Sequence, residues 1–332
     1  MEREVLPSIY DTPSTEAAFG TGDRGIGGQR RVVAWAVTFC VLWSSAFVAT
    51  KIGLSSSPPL LLASFRFLIA GPLMILMALA IQPRDIPGLR SLALLAVLGI
   101  LNNTLYLGLT FVALESVSAG LVSVIASMNP LITVALAHFF LKEKMTVRKA
   151  SGLIAGLAGV VFIMRHRIGM QIDAPIGIGL AFAGVIFFVF GTMLFKKGKL
   201  ENSLLMINGV QVLVGGVVLL PIALLFEKVG AIRFDHNFIW ALAYLVVFVS
   251  MGGTLVWFRL LREGTASAAS SWHFLNPALG MFFGWIVLGE KTVWSDYLGL
   301  VPIVIGILLV TRSPRSPLRL AAVNNKQRSR PG

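Results

Sequence analysis

A chain of 332 residues that is 56% hydrophobic and 13% charged, with a mean hydropathy of +0.83, lies outside the range of soluble domains, in which about a quarter of residues are charged. This composition describes an integral membrane protein. It excludes a soluble enzyme, a nucleic-acid binder and a secreted disulfide scaffold, and the lone cysteine, Cys40, has no second thiol to bond.

Residues 1–31 read as a flexible, polar, Gly-rich tail without the apolar h-region of a signal peptide. Gly20, Gly22 and Gly25 match the spacing of a dinucleotide-binding loop, but no strand precedes them and a membrane helix follows, so that reading fails on context. Apolar runs of bilayer-spanning length then predict ten helical spans, near 32–52, 58–81, 91–114, 118–141, 147–164, 174–195, 203–226, 238–261, 266–288 and 294–311. A basic tail, 313–332, closes the chain. Ten spans put both termini on one side, and that side collects 21 Lys and Arg against six on the other, with Arg66 inside a span. The positive-inside rule then places both termini in the cytoplasm of a multi-pass protein of the inner (plasma) membrane, which accounts for the net charge of +13.

Set against itself at an offset of 147 residues, the sequence repeats without a gap. Phe111 falls on Phe258, Ser123 on Ser270, Asn129-Pro130 on Asn276-Pro277, Glu143-Lys144 on Glu290-Lys291, and Gly152 and Gly159 on Gly299 and Gly306. At an offset of 145 the front parts align more weakly, with Trp43 on Phe188, Lys51 on Lys196 and Arg66 on Gln211. The expected fold class is therefore all-α integral membrane, with ten transmembrane helices as two inverted five-helix repeats, 32–165 and 174–312. An odd number of spans per copy makes the second copy enter from the opposite face, the basis of alternating access in many carriers.

The run Trp43-Ser44-Ser45-Ala46-Phe47 to Lys51, then Pro58-Pro59 and Arg66-Phe67, resembles the opening of an EamA module. The Asn-Pro span followed by Glu143-Lys144, and again by Gly289-Glu290-Lys291, resembles its close. The chain is thus similar to two EamA modules of the drug/metabolite transporter superfamily. The resemblance implies a ten-helix carrier with a central cavity lined mainly by spans 1, 3, 4, 6, 8 and 9, with spans 5 and 10 packed away from the substrate.

Paired prolines mark one candidate site, because each removes a helix hydrogen bond: Pro130 is expected to free the carbonyl of Ala126, and Pro277 that of His273. A structural kink is the competing reading for these gating candidates. Around them, Trp272, His273 and Asn276 share one half of span 9, and Asn129 lies on the corresponding face of span 4. Asn102, Asn103 and Tyr106 form a polar stripe on span 3, Trp257 continues one on span 8, and Trp43 and Phe47 lie on one side of span 1. Such stripes face a cavity or a neighbouring helix, since lipid offers no hydrogen-bond partner.

Arg66 either holds a substrate carboxylate or serves the architecture by binding Glu115 or carbonyls freed near spans 3 and 4; Gln211 at its repeat position speaks for a shared slot. No Asp or Glu lies at mid-depth, so the proton-coupling carboxylate of the related small multidrug exporters has no counterpart in span 1. Glu143 and Glu290 are expected to be satisfied at span ends by Lys144, Lys291 and loop backbone. Gly152, Gly156 and Gly159 read as a helix-packing face.

The function expected is secondary-active transport, as an exporter, of a small amphipathic metabolite, amino-acid-like or drug-like. It would act as a monomer in the lipid bilayer with a small-molecule substrate, no cofactor, no metal and no nucleic acid. The alternatives are a non-transporting scaffold or sensor and, less so, a membrane-embedded transferase, whose metal would need clustered carboxylates that the sequence lacks.

Overall fold

The computed structural model describes residues 26–140, 145–170, 172–263 and 266–311, and every regular element among them is helical. In chain order these are α1 (Ile26–Leu54), α2 (Pro59–Ile81), α3 (Leu89–Ser116), α4 (Ala119–Phe140), α5 (Val147–Gly169), α6 (Pro175–Lys197), α7 (Leu204–Phe226), α8 (His236–Glu263), α9 (266–288) and α10 (Trp294–Thr311). Eight of the described helices, within α1 to α8, are long and apolar enough to cross a membrane, and shorter apolar helices, Asn276–Leu288 and Trp294–Gly306, lie in α9 and α10. Residues 1–25 of the predicted N-terminal tail, the Glu143-Lys144 pair and Arg312 onward lie outside the described residues, and residues 26–31 stand in α1.

Local chemistry sets the helix ends. Pro59 and Pro175 occupy first turns, where a missing N–H costs nothing. Ser203 caps α7 by accepting from the Met206 amide at 3.2 Å, and Gly289, at φ 64°, ends α9 in the left-handed conformation that glycine tolerates. Other caps come from far along the chain. Glu227, just past α7, accepts from the Leu60 and Leu61 amides of α2 at 2.9 and 2.8 Å, and Asp85, just past α2, accepts from the Ser203 amide before α7 at 3.1 Å.

Three helix pairs make the frame. A Cβ at Gly71 of α2 would stand 2.7 Å from the Leu213 backbone of α7, and one at Gly216 of α7 would stand 2.9 Å from Phe67 and 3.1 Å from Leu68 of α2. In α5 and α10, Gly159 lies against the Gly299 carbonyl and Gly306 against that of Gly152, so the predicted glycine face is a close helix contact. In α4 and α9, Ser123 meets Gly280, and Thr133 Oγ1 lies 3.3 Å from Ser270 Oγ. In every pair the contacts step forward along one helix and backward along the other, so the helices run antiparallel.

Two features depart from simple spans. The middles of α3 and α8 are π-helical, over Ile100–Leu107 and Leu245–Gly253. Helix α4 breaks at Ser127 and Met128, and α9 passes through a 3-10 segment, Ser271–Leu275. At the end of the bundle where α1 finishes, Arg167, counted from sequence only as a loop charge, is buried. It pairs with Asp173 at 3.0 Å and Asp296 at 2.6 Å. Nearby, Glu290 accepts from the Ala119 and Gly120 amides at 2.7 and 3.0 Å and lies 3.5 Å from Lys51. The expected satisfaction by loop backbone is found at the start of α4, and the cation beside the carboxylate is Lys51 rather than Lys291.

Candidate substrate site

Five helices bring six rings together in the middle of the bundle. Phe39 and Trp43 come from α1, Tyr106 from α3, Phe188 from α6, Trp257 from α8 and His273 from α9, and all six are buried. Tyr106 stacks on Phe188 at 4.6 Å, Phe188 meets Trp257 at 5.4 Å, and Trp257 meets His273 edge-on at 4.9 Å. The Asn276 amide donates to His273 Nδ1 at 2.9 Å while its oxygen accepts from Ser44, which fixes the imidazole orientation and leaves Nε2 without a partner among the described residues. Offset and edge-on ring pairs of this kind add roughly 0.5–1.5 kcal/mol each beyond burial, so the cluster forms a cohesive plug.

A cleft lies on each side of this plug. The first, a narrow gap, lies toward the end where α1 finishes and has walls that include Trp43, Phe47, Arg66, Tyr106, Thr110 and Phe111. The second, also narrow, lies toward the opposite end; its walls include Asn102, Asn103, Phe188, Asn208, Gln211 and Trp257, and it shares Trp43, Tyr106 and Leu107 with the first. Amides dominate the second cleft. Asn102 Nδ2 donates to Gln211 Oε1 at 3.0 Å, Asn103 Nδ2 to the Gln211 carbonyl at 3.2 Å, and Asn208 Nδ2 to the Ser250 carbonyl at 3.0 Å. Asn102 Oδ1, Asn208 Oδ1 and Gln211 Nε2 remain buried without a partner among the described residues. Buried orphans of this type are rare in native folds and mark places where a ligand or water bonds.

Arg66 is 2% exposed, and its Nε donates to Ser250 Oγ at 2.8 Å. Its guanidinium carbon stands 5.5 Å from the Phe67 ring centroid and 5.8 Å from that of Phe111. Among the described residues, Glu115 and helix-end carbonyls, the structural partners considered from sequence, do not hold it.

The structure brings Trp43, Phe47, Asn102, Asn103, Tyr106, Trp257 and Arg66 into the cleft walls, and His273 into the plug with Asn276 behind it. Trp272 makes none of the ring contacts; it is half-buried, and its carbonyl faces Cys40 Sγ at 2.9 Å. Asn129 accepts from Thr133 at 3.0 Å at the α4–α9 contact, away from both clefts. Pro130 and Pro277 each stand second in a fresh helical segment, just beyond the break in α4 and the 3-10 turn in α9. The His273 carbonyl is not freed, because it accepts from the Asn276 amide. Phe188 and Asn208 were not singled out as site residues, although Phe188 stood opposite Trp43 in the repeat alignment.

Both halves of the chain, residues 30–165 and 175–312, match the EamA-like transporter family. The chain belongs to that family. The uncharacterized transporter YvbV of Bacillus subtilis (strain 168) is 35% identical over 291 residues, covering 86% of this chain and 93% of its own length. The uncharacterized inner membrane transporter YedA of Escherichia coli (strain K12) is 30% identical over 275 residues, covering 82% of this chain and 87% of its own. A solved crystal structure shares the fold at a TM-score of 0.63 and 20% identity, covering 85% of this chain and 96% of that one. As an EamA-like transporter the chain is a multi-pass membrane protein with two copies of the family unit. Its clefts draw on α2 and α7, through Arg66, Asn208 and Gln211, and on α1, α3, α6 and α8, whereas α4 and α9, also implied by the resemblance, supply no wall residue among the described residues.

Proposed function

We propose that this transporter is a ten-span secondary carrier of the inner (plasma) membrane that exports a small amphipathic metabolite, amino-acid-like or drug-like, by alternating access between two inverted five-helix repeats. One observation carries the reading: the two clefts are lined by corresponding residues of the two halves. Trp43, Arg66, Leu107, Thr110, Phe111 and Val249 border the first, and their repeat mates Phe188, Gln211, Thr254, Trp257, Phe258 and Asn102 border the second. A two-fold relation in the membrane plane produces such a pair, and rocking the repeats closes one cleft as it opens the other. The antiparallel frame supports the same relation, since α2 meets α7, α4 meets α9 and α5 meets α10, each with its repeat mate. The charge bias orients the first cleft outward and keeps both termini cytoplasmic, and the printed name of YedA supports the inner membrane.

The plug dictates what the solute must do. Trp43, Tyr106, Phe188 and Trp257 must part for passage, so the solute offers apolar or aromatic surface to replace ring contacts, together with polar groups for the unpartnered amide atoms. The test compares metabolites inside and outside cells that overproduce or lack the protein, followed by counterflow of each difference in liposomes containing the purified chain. At least one solute depleted inside overproducers is expected to exchange in liposomes. If none of the changed metabolites exchanges, the carrier reading is wrong.

A further inference from the structure

We propose that Arg66 is the anchor for a single carboxylate on the solute, held in the cleft bounded by Phe47, Phe111 and Thr110. The inference rests on the carrier reading and names the solute class that it leaves open. A guanidinium has five donors, and in Arg66 only Nε is engaged among the described residues, by Ser250. Among the described residues no Asp or Glu lies within ion-pair distance of it, its terminal nitrogens have no protein hydrogen bond, and the residue lines the first cleft. A buried cation without a counter-charge costs several kcal/mol at membrane depth.

The architecture does not demand that cation. At the corresponding position of α7 the slot is filled by Gln211, whose neutral amide is bonded by Asn102 and whose carbonyl is bonded by Asn103. An uncharged side chain thus fills this place in the frame, and the charge at residue 66 is available for a ligand. The paired terminal N–H groups of a guanidinium match the two oxygens of a carboxylate. Nothing else in the first cleft is cationic: the walls near Arg66 are the hydroxyls of Thr50 and Thr110 and the rings of Trp43, Phe47, Tyr106 and Phe111. That lining compensates one negative charge and leaves a doubly charged phosphate in excess, while the rings receive an apolar or aromatic body.

The experiment uses the full-length protein in detergent and reads tryptophan fluorescence during titration with 3-phenylpropionate, L-phenylalanine and the neutral isostere 3-phenylpropanamide. Wild type is expected to bind 3-phenylpropionate roughly ten- to a hundred-fold more tightly than its amide, the range for charge-assisted hydrogen bonds. Arg66→Gln should abolish that preference while keeping a wild-type elution profile and a melting temperature no lower than wild type, and Arg66→Lys, which keeps the charge and loses the fork, should retain a part of it. Equal affinity for acid and amide in wild type, no binding of either, or a preference that survives Arg66→Gln would overturn the anchor. The wild-type comparison needs no variant, so a misfolded substitution does not spoil the test. Counterflow of the same probes separates the two claims. An acid preference in binding without exchange removes the carrier reading and keeps the anchor, whereas exchange indifferent to Arg66→Gln keeps the carrier and removes the anchor.

Discussion

The two clefts are made from matching positions of two related halves, yet among aromatic rings on both sides one carries a guanidinium and the other a set of amides. Thr110 stands where the second cleft has Trp257, and Arg66 where it has Gln211. The frame contacts behind them, by contrast, are nearly the same on both sides: Gly71 against Leu213, Gly216 against Leu68. Symmetry is retained where backbones touch and given up where a solute would be recognised. A frame can therefore move as a two-fold object while offering a passing molecule different chemistry on each side.

The sharpest way to test that difference is to truncate one position on both sides. Trp257, 1% exposed and in ring contact with Phe39, Phe188 and His273, should cost about 3–5 kcal/mol as Trp257→Ala. Thr110→Ala removes a buried methyl and a hydroxyl that donates to the Tyr106 carbonyl at 2.7 Å and should cost about 1–2 kcal/mol. Unfolding in detergent measures both, and equal losses would mean that the clefts are energetically alike. The frame should behave in the opposite way: Gly71→Leu and Gly216→Leu each force a side chain into a facing helix and should each cost about 1–3 kcal/mol by overpacking. Melting temperatures that fall for only one of the two would break the claim of a symmetric frame.

The smallest effect concerns helix starts. Asp235 accepts from the Phe238 amide at 3.0 Å and from Ser56 at 2.7 Å, so its carboxyl is held below the usual aspartate range, first by the backbone bond and then by the hydroxyl. At the corresponding start of α3 stands Gly88, without a side-chain cap. Because the folded value is depressed, the stabilisation is present above the unfolded value, about pH 3.9, and is lost as pH falls through the folded value. Asp235→Asn should flatten that acid dependence of the melting temperature and change little near neutrality. An unchanged acid limb would remove Asp235 as a cap.

Much of this was legible in the sequence, for reasons that differ from residue to residue. The span pattern follows from apolar length alone, and the doubling was visible because Asn-Pro and Glu-Lys pairs are costly to repeat by chance. Arg66 announced itself by its charge. Phe188 did not, because a phenylalanine in an apolar run reads the same whether it packs or lines a cleft. The π-helical segments leave no compositional mark, since they shift which carbonyl each amide meets and not which residues are present. Trp272 was grouped with His273 on one half of the helix, but neighbours in sequence stand about 100° or more apart around a helix axis, and His273 is the one that meets the rings. Glu290 found its partners at amides 170 and 171 residues away in sequence, beyond any local pattern.

The reciprocal caps also bear on how the protein is made. The Leu60 and Leu61 amides at the start of α2 are completed by Glu227, which lies 167 and 166 residues further along the chain. At about 5–20 residues per second of synthesis, that carboxylate leaves the ribosome roughly 10–30 s after the helix it caps. During the interval the first half holds an unfinished helix end at the membrane boundary, where only water or headgroups can serve it. The protein is thus completed from its second half backward, and assembly of the two halves is the step at which translation, insertion and folding meet.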